Sequence, residues 1–217
     1  GVYHVFYQWH PDAPVHGLKY WNHVTSSDLV TWKQDTRIIN PDSIYDNHGA
    51  YSGSAYLIDD KIEIFYTGNH RDEEMNRVPY QVRTELTEAG FGPKVPLIVG
   101  PHEGYTDHYR DPVIFERDNL YYMIIGAQRT DLTGAAVLYT SKDGLNDWTF
   151  TYELKTPFVD FGYMWECPDL IAFGEQDLFI FCPQGAMNSP KYQRNLYSSA
   201  FALGNFNSEQ GSFSTLN

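Results

Sequence analysis

The sequence predicts an all-β fold, and within that class a β-propeller, on three observations. Aromatic residues make up 16% of the chain, with 17 Tyr and 13 Phe, a composition that suits pleated, half-buried surfaces. Short apolar runs rich in Val, Ile, Phe and Tyr recur between polar turns, three times as hairpins of one design. These features also return at a fixed step: Phe6-Tyr7 reappears as Phe65-Tyr66, and Gly68 as Gly126 and Gly185, at spacings of 58 or 59 residues. A unit of about 58 residues holding about four strands reads as one propeller blade, somewhat longer than common propeller repeats.

Taken in order, residues 2–9 read as a strand already under way, with no initiating Met before it. A turn-rich stretch through Pro11, Asp12, Pro14 and Gly17 leads to strands at 21–26 and, briefly, 28–32. Strands at 54–58 and 62–67 flank Asp59-Asp60, residues that suit a two-residue hairpin turn. Residues 113–115 and 120–126 do the same around Arg117-Asp118-Asn119, and residues 170–173 and 178–181 around Gly174 to Asp177. The segment Thr25-Ser26-Ser27-Asp28 through Trp32 returns as Thr140-Ser141-Lys142-Asp143 through Trp148, two blade steps on. No convincing amphipathic helix is present. Residues 72–90 read as partly helical or as a loop-plus-strand excursion, and residues 205–217 as a loop. The 217 residues hold about 3.7 such units, where closed propellers usually have four to eight blades. The expected domain is therefore a partial propeller over residues 1–217.

Composition narrows the function. A net charge of −13 argues against a nucleic-acid partner, since such binding draws its affinity from neutralised phosphates. The two cysteines, Cys167 and Cys182, lie in apolar segments with no C-x-x-C spacing and read as reduced core thiols. The absence of a run approaching the roughly 20 apolar residues of a membrane span, and of a leader pattern, reads as soluble and cytoplasmic. The histidines show no metal-ligand spacing, and no Gly-rich phosphate loop or G-x-S-x-G elbow occurs. No cofactor and no metal are expected; carboxylate chemistry remains.

In a propeller the innermost strands converge on one funnel, so residues at equivalent phases meet there. The repeat puts Ser52-Gly53-Ser54, Arg110-Asp111-Pro112 and Glu166-Cys167-Pro168-Asp169 at nearly the same phase. Glu166, flanked by Trp165 and Met164, is the first candidate for a proton donor, on the expectation that apolar neighbours raise its pKa. Asp111 and Asp169 are the companion carboxylates, and glycoside cleavage asks for such a pair. Gln8, Trp9, Trp21, Asn22, His23 and Tyr51 offer stacking faces and hydrogen bonds to a sugar. Arg71, Arg77, Arg129, Lys191 and Arg194 are candidates for a phosphate group.

Six ordered motifs carry a resemblance over essentially the whole chain: Tyr3-His4-Val5-Phe6-Tyr7-Gln8, Trp21-Asn22-His23 with Ser27 to Trp32, Tyr51-Ser52-Gly53-Ser54-Ala55, Tyr66-Thr67-Gly68-Asn69, Tyr109-Arg110-Asp111-Pro112 and Trp165-Glu166-Cys167-Pro168-Asp169. The chain resembles glycoside hydrolase family 32, the invertases and β-fructofuranosidases, and is most similar to its bacterial sucrose-6-phosphate hydrolase branch. The resemblance implies a five-bladed β-propeller followed by a β-sandwich, and a retaining double displacement on sucrose or its 6-phosphate. It implies Glu166 as general acid/base and Asp111 as stabiliser of the oxocarbenium-like transition state, with Gln8, Trp21, Ser52 and Arg110 lining the fructosyl subsite beside Tyr51.

Two departures stand out. The family's nucleophilic Asp belongs to an Asn-Asp-Pro-Asn-Gly motif that these residues lack, so the chain by itself is expected to be inactive. Asn22 stands where the family commonly has Gly, and is expected to narrow the space beside the sugar. A fructan or levan hydrolase and a non-catalytic sugar-binding propeller are the alternative readings.

Overall fold

In the computed structural model, residues 1–186 and 196–216 are described, and they form sixteen strands in four antiparallel sheets with no helix. The first sheet runs β1 (Tyr3–Trp9), β2 (Tyr20–Ser26) and β3 (Lys33–Gln34). The second orders β4 (Ala50–Ile58), β5 (Lys61–Arg71), β6 (Arg77–Thr87) and β7 (Gly90–Phe91), with β8 (Val95–Val99) also pairing β6. The third holds β9 (Tyr105–Arg117), β10 (Leu120–Arg129), β11 (Gly134–Ser141) and β12 (Thr149–Glu153). The fourth holds β13 (Met164–Phe173), β14 (Gln176–Gln184), β15 (Ala200–Asn207) and β16 (Ser212–Thr215). Each sheet is a blade of a propeller, and the repeat step read from the sequence is the step from blade to blade.

The core lies between blades, and strand alternation sorts its residues. On β10, Tyr122 and Ile124 pack toward Trp165, Phe179 and Phe181 of the fourth blade, while Met123, Ile125 and Ala127 pack toward Phe65 of the second. On β5, Phe65 faces the third blade, while Ile64 and Tyr66 face Trp21 and Ile39. Strands buried on both faces read as unbroken apolar runs, which is why 120–127 stands out in the sequence.

The hairpins form as expected. Asp59 and Asp60 turn with φ of 49° and 62°, and Asp118 and Asn119 with 55° and 60°, the paired left-handed conformations of a type I′ turn. The second occurrence of the Thr-Ser-x-Asp segment reproduces the first. Ser26 donates to Asp28 and Ser141 to Asp143, each at 2.9 Å, and the two aspartates accept the N–H groups of Thr31 and Asn146 respectively.

Three expectations need correction, and one open choice is resolved. Residues 28–32 are a turn and not a strand: Asp28 captures the N–H groups of Val30 and Thr31, and Leu29 takes φ 60°, so local side-chain bonds replace a ladder. Of the two readings of residues 72–90, the loop-plus-strand excursion is the one that forms, with Arg77–Thr87 pairing along β5. Residues 205–217 are not merely a loop, because Gly204–Asn207 pairs with Ser212–Thr215. Cys167 is exposed and Cys182 half-buried, both free, so neither is a core thiol.

Candidate active site

The innermost strands β4, β9 and β13 share a register break of one kind, and β9 carries a second between its pairings to Ala127 and Arg129. Ala50 pairs with Gly68 and Gly53 with Tyr66, leaving Tyr51 and Ser52 opposite one residue. Arg110 pairs with Gly126 and Val113 with Ile124, leaving Asp111 and Pro112. Glu166 pairs with Cys182 and Asp169 with Ile180, leaving Cys167 and Pro168. A β-bulge re-aims the side chains around it. Asp111 and Cys167 adopt φ of 68° and 46° to make theirs, a conformation costly for non-glycine residues and concentrated at functional sites.

These bulges bring the expected site residues together. Arg110 donates from Nη2 to Glu166 Oε1 at 2.8 Å, and its Nε lies 3.9 Å from Asp111 Oδ2. One guanidinium thus links two carboxylates from neighbouring blades. Asp111 is buried at 4% exposure, and its Oδ2 accepts the backbone N–H of Cys167 at 2.9 Å, with the thiol at 3.6 Å. Its own N–H donates to Thr67 Oγ1 at 2.9 Å, Thr67 donates to Gln81 at 2.7 Å, and Gln81 donates to the Tyr109 carbonyl at 3.2 Å. Burial holds the Asp111 carboxyl above the usual range, opposed by the charge of Arg110 and the Cys167 N–H.

A funnel of about 390 Å³ opens here, and Gln8, Tyr51, Ser52, Arg110 and Glu166 line it. Gln8 donates to Ser52 at 3.2 Å. Trp21 is not in this wall. Its ring is 5% exposed, its indole N–H donates to the Tyr51 carbonyl at 2.9 Å, and it borders an adjoining groove with Gln8 and Ser52. Trp21 therefore anchors the β4 bulge from behind.

Other sequence expectations are redirected. Trp165 does not wrap Glu166, because adjacent strand residues face opposite ways; its indole lies in the core against Phe181 while Glu166 is half-exposed beside Arg110. Asp169 sits beyond the bulge and does not line the funnel. Asn22 does not crowd a sugar, since its side chain accepts from Gln34 and from the His23 N–H. His23 stacks on Phe6 and Trp9 meets Tyr20, both away from the funnel.

Among the phosphate candidates, Arg129 is held by Glu153 and Arg71 by the Met75 carbonyl. Arg77 lines the funnel. Lys191 and Arg194 lie outside the described residues. Sequence reasoning missed His16, Lys19, His108 and Gln184 in the wall. His108 was findable, because it stands two residues before Arg110 on one strand; Lys19 and Gln184 carry no comparable signal. Among the described residues no group of three or more His, Cys, Asp or Glu is gathered to hold a metal.

The family described as "Glycosyl hydrolases family 32 N-terminal domain" matches residues 1–217. Sucrose-6-phosphate hydrolase of Vibrio alginolyticus is 40% identical over 205 residues, covering 94% of this chain and 42% of that protein. The structure of sucrose-6-phosphate hydrolase from Lactobacillus gasseri superposes with a TM-score of 0.93 at 40% identity, over 100% of this chain and 45% of that one. A Bombyx mori GH32 beta-fructofuranosidase mutant in complex with sucrose matches with a TM-score of 0.82 at 29% identity, over 99% of this chain and 46% of that one. The chain thus spans less than half the length of these relatives. Its blades, its ordered motifs and its whole length agree: the chain belongs to glycosyl hydrolase family 32.

Proposed function

We infer that these residues are the partial catalytic propeller of a longer enzyme that hydrolyses the β-D-fructofuranosyl bond of sucrose 6-phosphate or sucrose with retention, and that a cytoplasmic location goes with its two free thiols. The observation that carries this reading is the bridge from Arg110 to both Glu166 and Asp111. Glycoside cleavage by double displacement needs a proton donor at the leaving oxygen and a nucleophile at the anomeric carbon. Glu166 suits the first task. Arg110 engages its Oε1, and the half-exposed carboxyl keeps Oε2 for the proton and the glycosidic oxygen.

Asp111 suits a different task. Its Oδ2 is committed to Cys167, and its Oδ1 has no hydrogen-bond partner among the described residues. That oxygen would accept the fructosyl hydroxyls, and its negative charge would stabilise the cationic ring of the transition state. Gln8, Ser52 and Tyr51 would hold the remaining hydroxyls, with Trp21 fixing Tyr51. The nucleophile is assigned to an Asp outside these 217 residues, so the chain alone is expected to turn over nothing. The 40% identity to sucrose-6-phosphate hydrolases favours a sucrose-type substrate over fructan, since the fructan 1-exohydrolase of Cichorium intybus is 25% identical.

In the intact enzyme, Glu166→Gln should cut fructose release from sucrose 6-phosphate by about 100- to 10,000-fold, the usual worth of general acid–base catalysis, while substrate still binds. Near-normal turnover would remove Glu166 from the role. Sugar binding by the wild type with no turnover would favour a binding protein instead.

A further inference from the structure

Seven arginines fall among the described residues, and six of them hold an oxygen. Arg37, Arg83, Arg110, Arg117 and Arg129 each pair with a carboxylate, and Arg71 donates to the Met75 carbonyl. Arg77 is the exception. It opens β6, its side chain is half-buried, and it lines the funnel beside Tyr51 and Arg110. Burial pulls its pKa down, Tyr51 draws it up, the charges of Arg71 and Arg110 pull it down further, and Asp107 draws it up more weakly. A guanidinium taken partly out of water with no anion to hold is unfavourable unless a ligand supplies one.

Lys19 shares the wall. Its ammonium touches the Gly17 carbonyl at 2.7 Å, and no carboxylate pairs with it among the described residues. Glu166 is the one acid among the described residues of the funnel lining, and Arg110 already neutralises it. The funnel of a chain with net charge −13 is therefore locally cationic, and a concave site of one sign concentrates ligands of the other.

The geometry points to Arg77, supported by Lys19, as the subsite for a phosphomonoester on the sugar that leaves, opposite the fructosyl group. The inference rests on the function proposed above and adds to it the residue that separates phosphorylated from free sucrose. Arg77 presents a planar fork that matches two phosphate oxygens, and Lys19 presents a single point charge. Arg110, which also lines the site, is committed to Glu166 and serves the chemistry.

The test is kinetic, in the intact enzyme, with sucrose 6-phosphate and sucrose compared side by side. Arg77→Gln should lower kcat/KM for sucrose 6-phosphate by about 10- to 100-fold, the loss expected for a charge-assisted contact, and leave sucrose within about twofold. Arg77→Lys should recover part of the loss, and Lys19→Gln should show a smaller loss of the same selectivity. Equal falls on both sugars would overturn the assignment and make Arg77 a support for Tyr51 or Arg110. Calorimetry with glucose 6-phosphate, glucose and inorganic phosphate separates this inference from the proposed function. Tighter binding of glucose 6-phosphate than of glucose, lost in Arg77→Gln, upholds the subsite even if neither disaccharide is hydrolysed. Inorganic phosphate binding alone, with no preference between the two glucose forms, would overturn it. No turnover of either disaccharide would count against the reaction and leave that binding result standing.

Discussion

Oδ2 of Asp111 accepts the backbone N–H of Cys167 at 2.9 Å, across 56 residues of sequence. The bulge on β13 thereby caps an acid on the bulge of β9, and the third and fourth blades share one piece of the site. A carboxylate held by a backbone donor and a nearby guanidinium stays ionised more readily than burial alone would permit.

Arg110 supplies that guanidinium, and its charge lowers a carboxyl that burial raises. Replacing it by Gln should therefore move the Asp111 pKa further up. In the intact enzyme the acid limb of the kcat/KM profile is expected to shift to higher pH in Arg110→Gln, together with a loss of rate from the unpinned Glu166. A pH profile that keeps its acid limb would show that ionisation of Asp111 does not set it.

Thr67 holds the other side of the bulge. Thr67→Val would leave the buried Asp111 N–H without its acceptor and Gln81 without its donor, at a cost of about 1–3 kcal/mol. Urea unfolding should show that loss, and Thr67→Ser should restore most of it. Equal stability of the Val and Ser variants would argue against the contact.

Gly126 lets two blades touch. A Cβ added there would lie 2.1 Å from the Trp165 carbonyl oxygen, so Gly126→Ala must push β13 away from β10. The expected cost is about 1–3 kcal/mol, as for overpacking generally, read as a lower thermal midpoint. Gly92→Ala is the control, because its nearest neighbour would be 3.6 Å away.

His23 should make stability fall in mild acid. The ring is fully buried, stacks on Phe6 at 4.2 Å and meets His4 at 2.9 Å, and burial pushes its pKa down to about 4 against the pull of Asp35. The unfolded chain takes up the proton near pH 6.5. The contribution is therefore complete above pH 6.5 and is lost as pH falls toward 4, by about 3 kcal/mol. His23→Phe should flatten the pH dependence of the urea midpoint over that window; an unchanged slope would count against a neutral buried His23.

Much of this molecule was legible before any coordinates. Hairpin residues such as Asp59-Asp60 announce their own backbone conformation, and a step of 58 or 59 residues between Gly68, Gly126 and Gly185 announces blades. Arg110, Asp111 and Glu166 were legible because equal phase in a propeller means proximity. Residues 28–32 were misread because an aspartate that bonds its own backbone looks, in sequence, like the polar edge of a strand. Burial was the harder matter. Strand neighbours face apart, so Trp165 says nothing about the surroundings of Glu166. Arg77 stood out in the sequence as one of five basic candidates and Lys19 not at all, because the length of a hairpin and the path of a loop decide which of them reach the funnel.

The three matching bulges separate two jobs that a strand usually combines. The residues before and after each irregularity keep the ladder in step, while the pair inside it is exempt from pairing duty. Within those pairs Tyr51 and Ser52 face the funnel, whereas Asp111 and Cys167 are spent on the contact that joins the third and fourth blades. A funnel constructed in this way can vary its rim at β4 while the joint between β9 and β13 stays as it is.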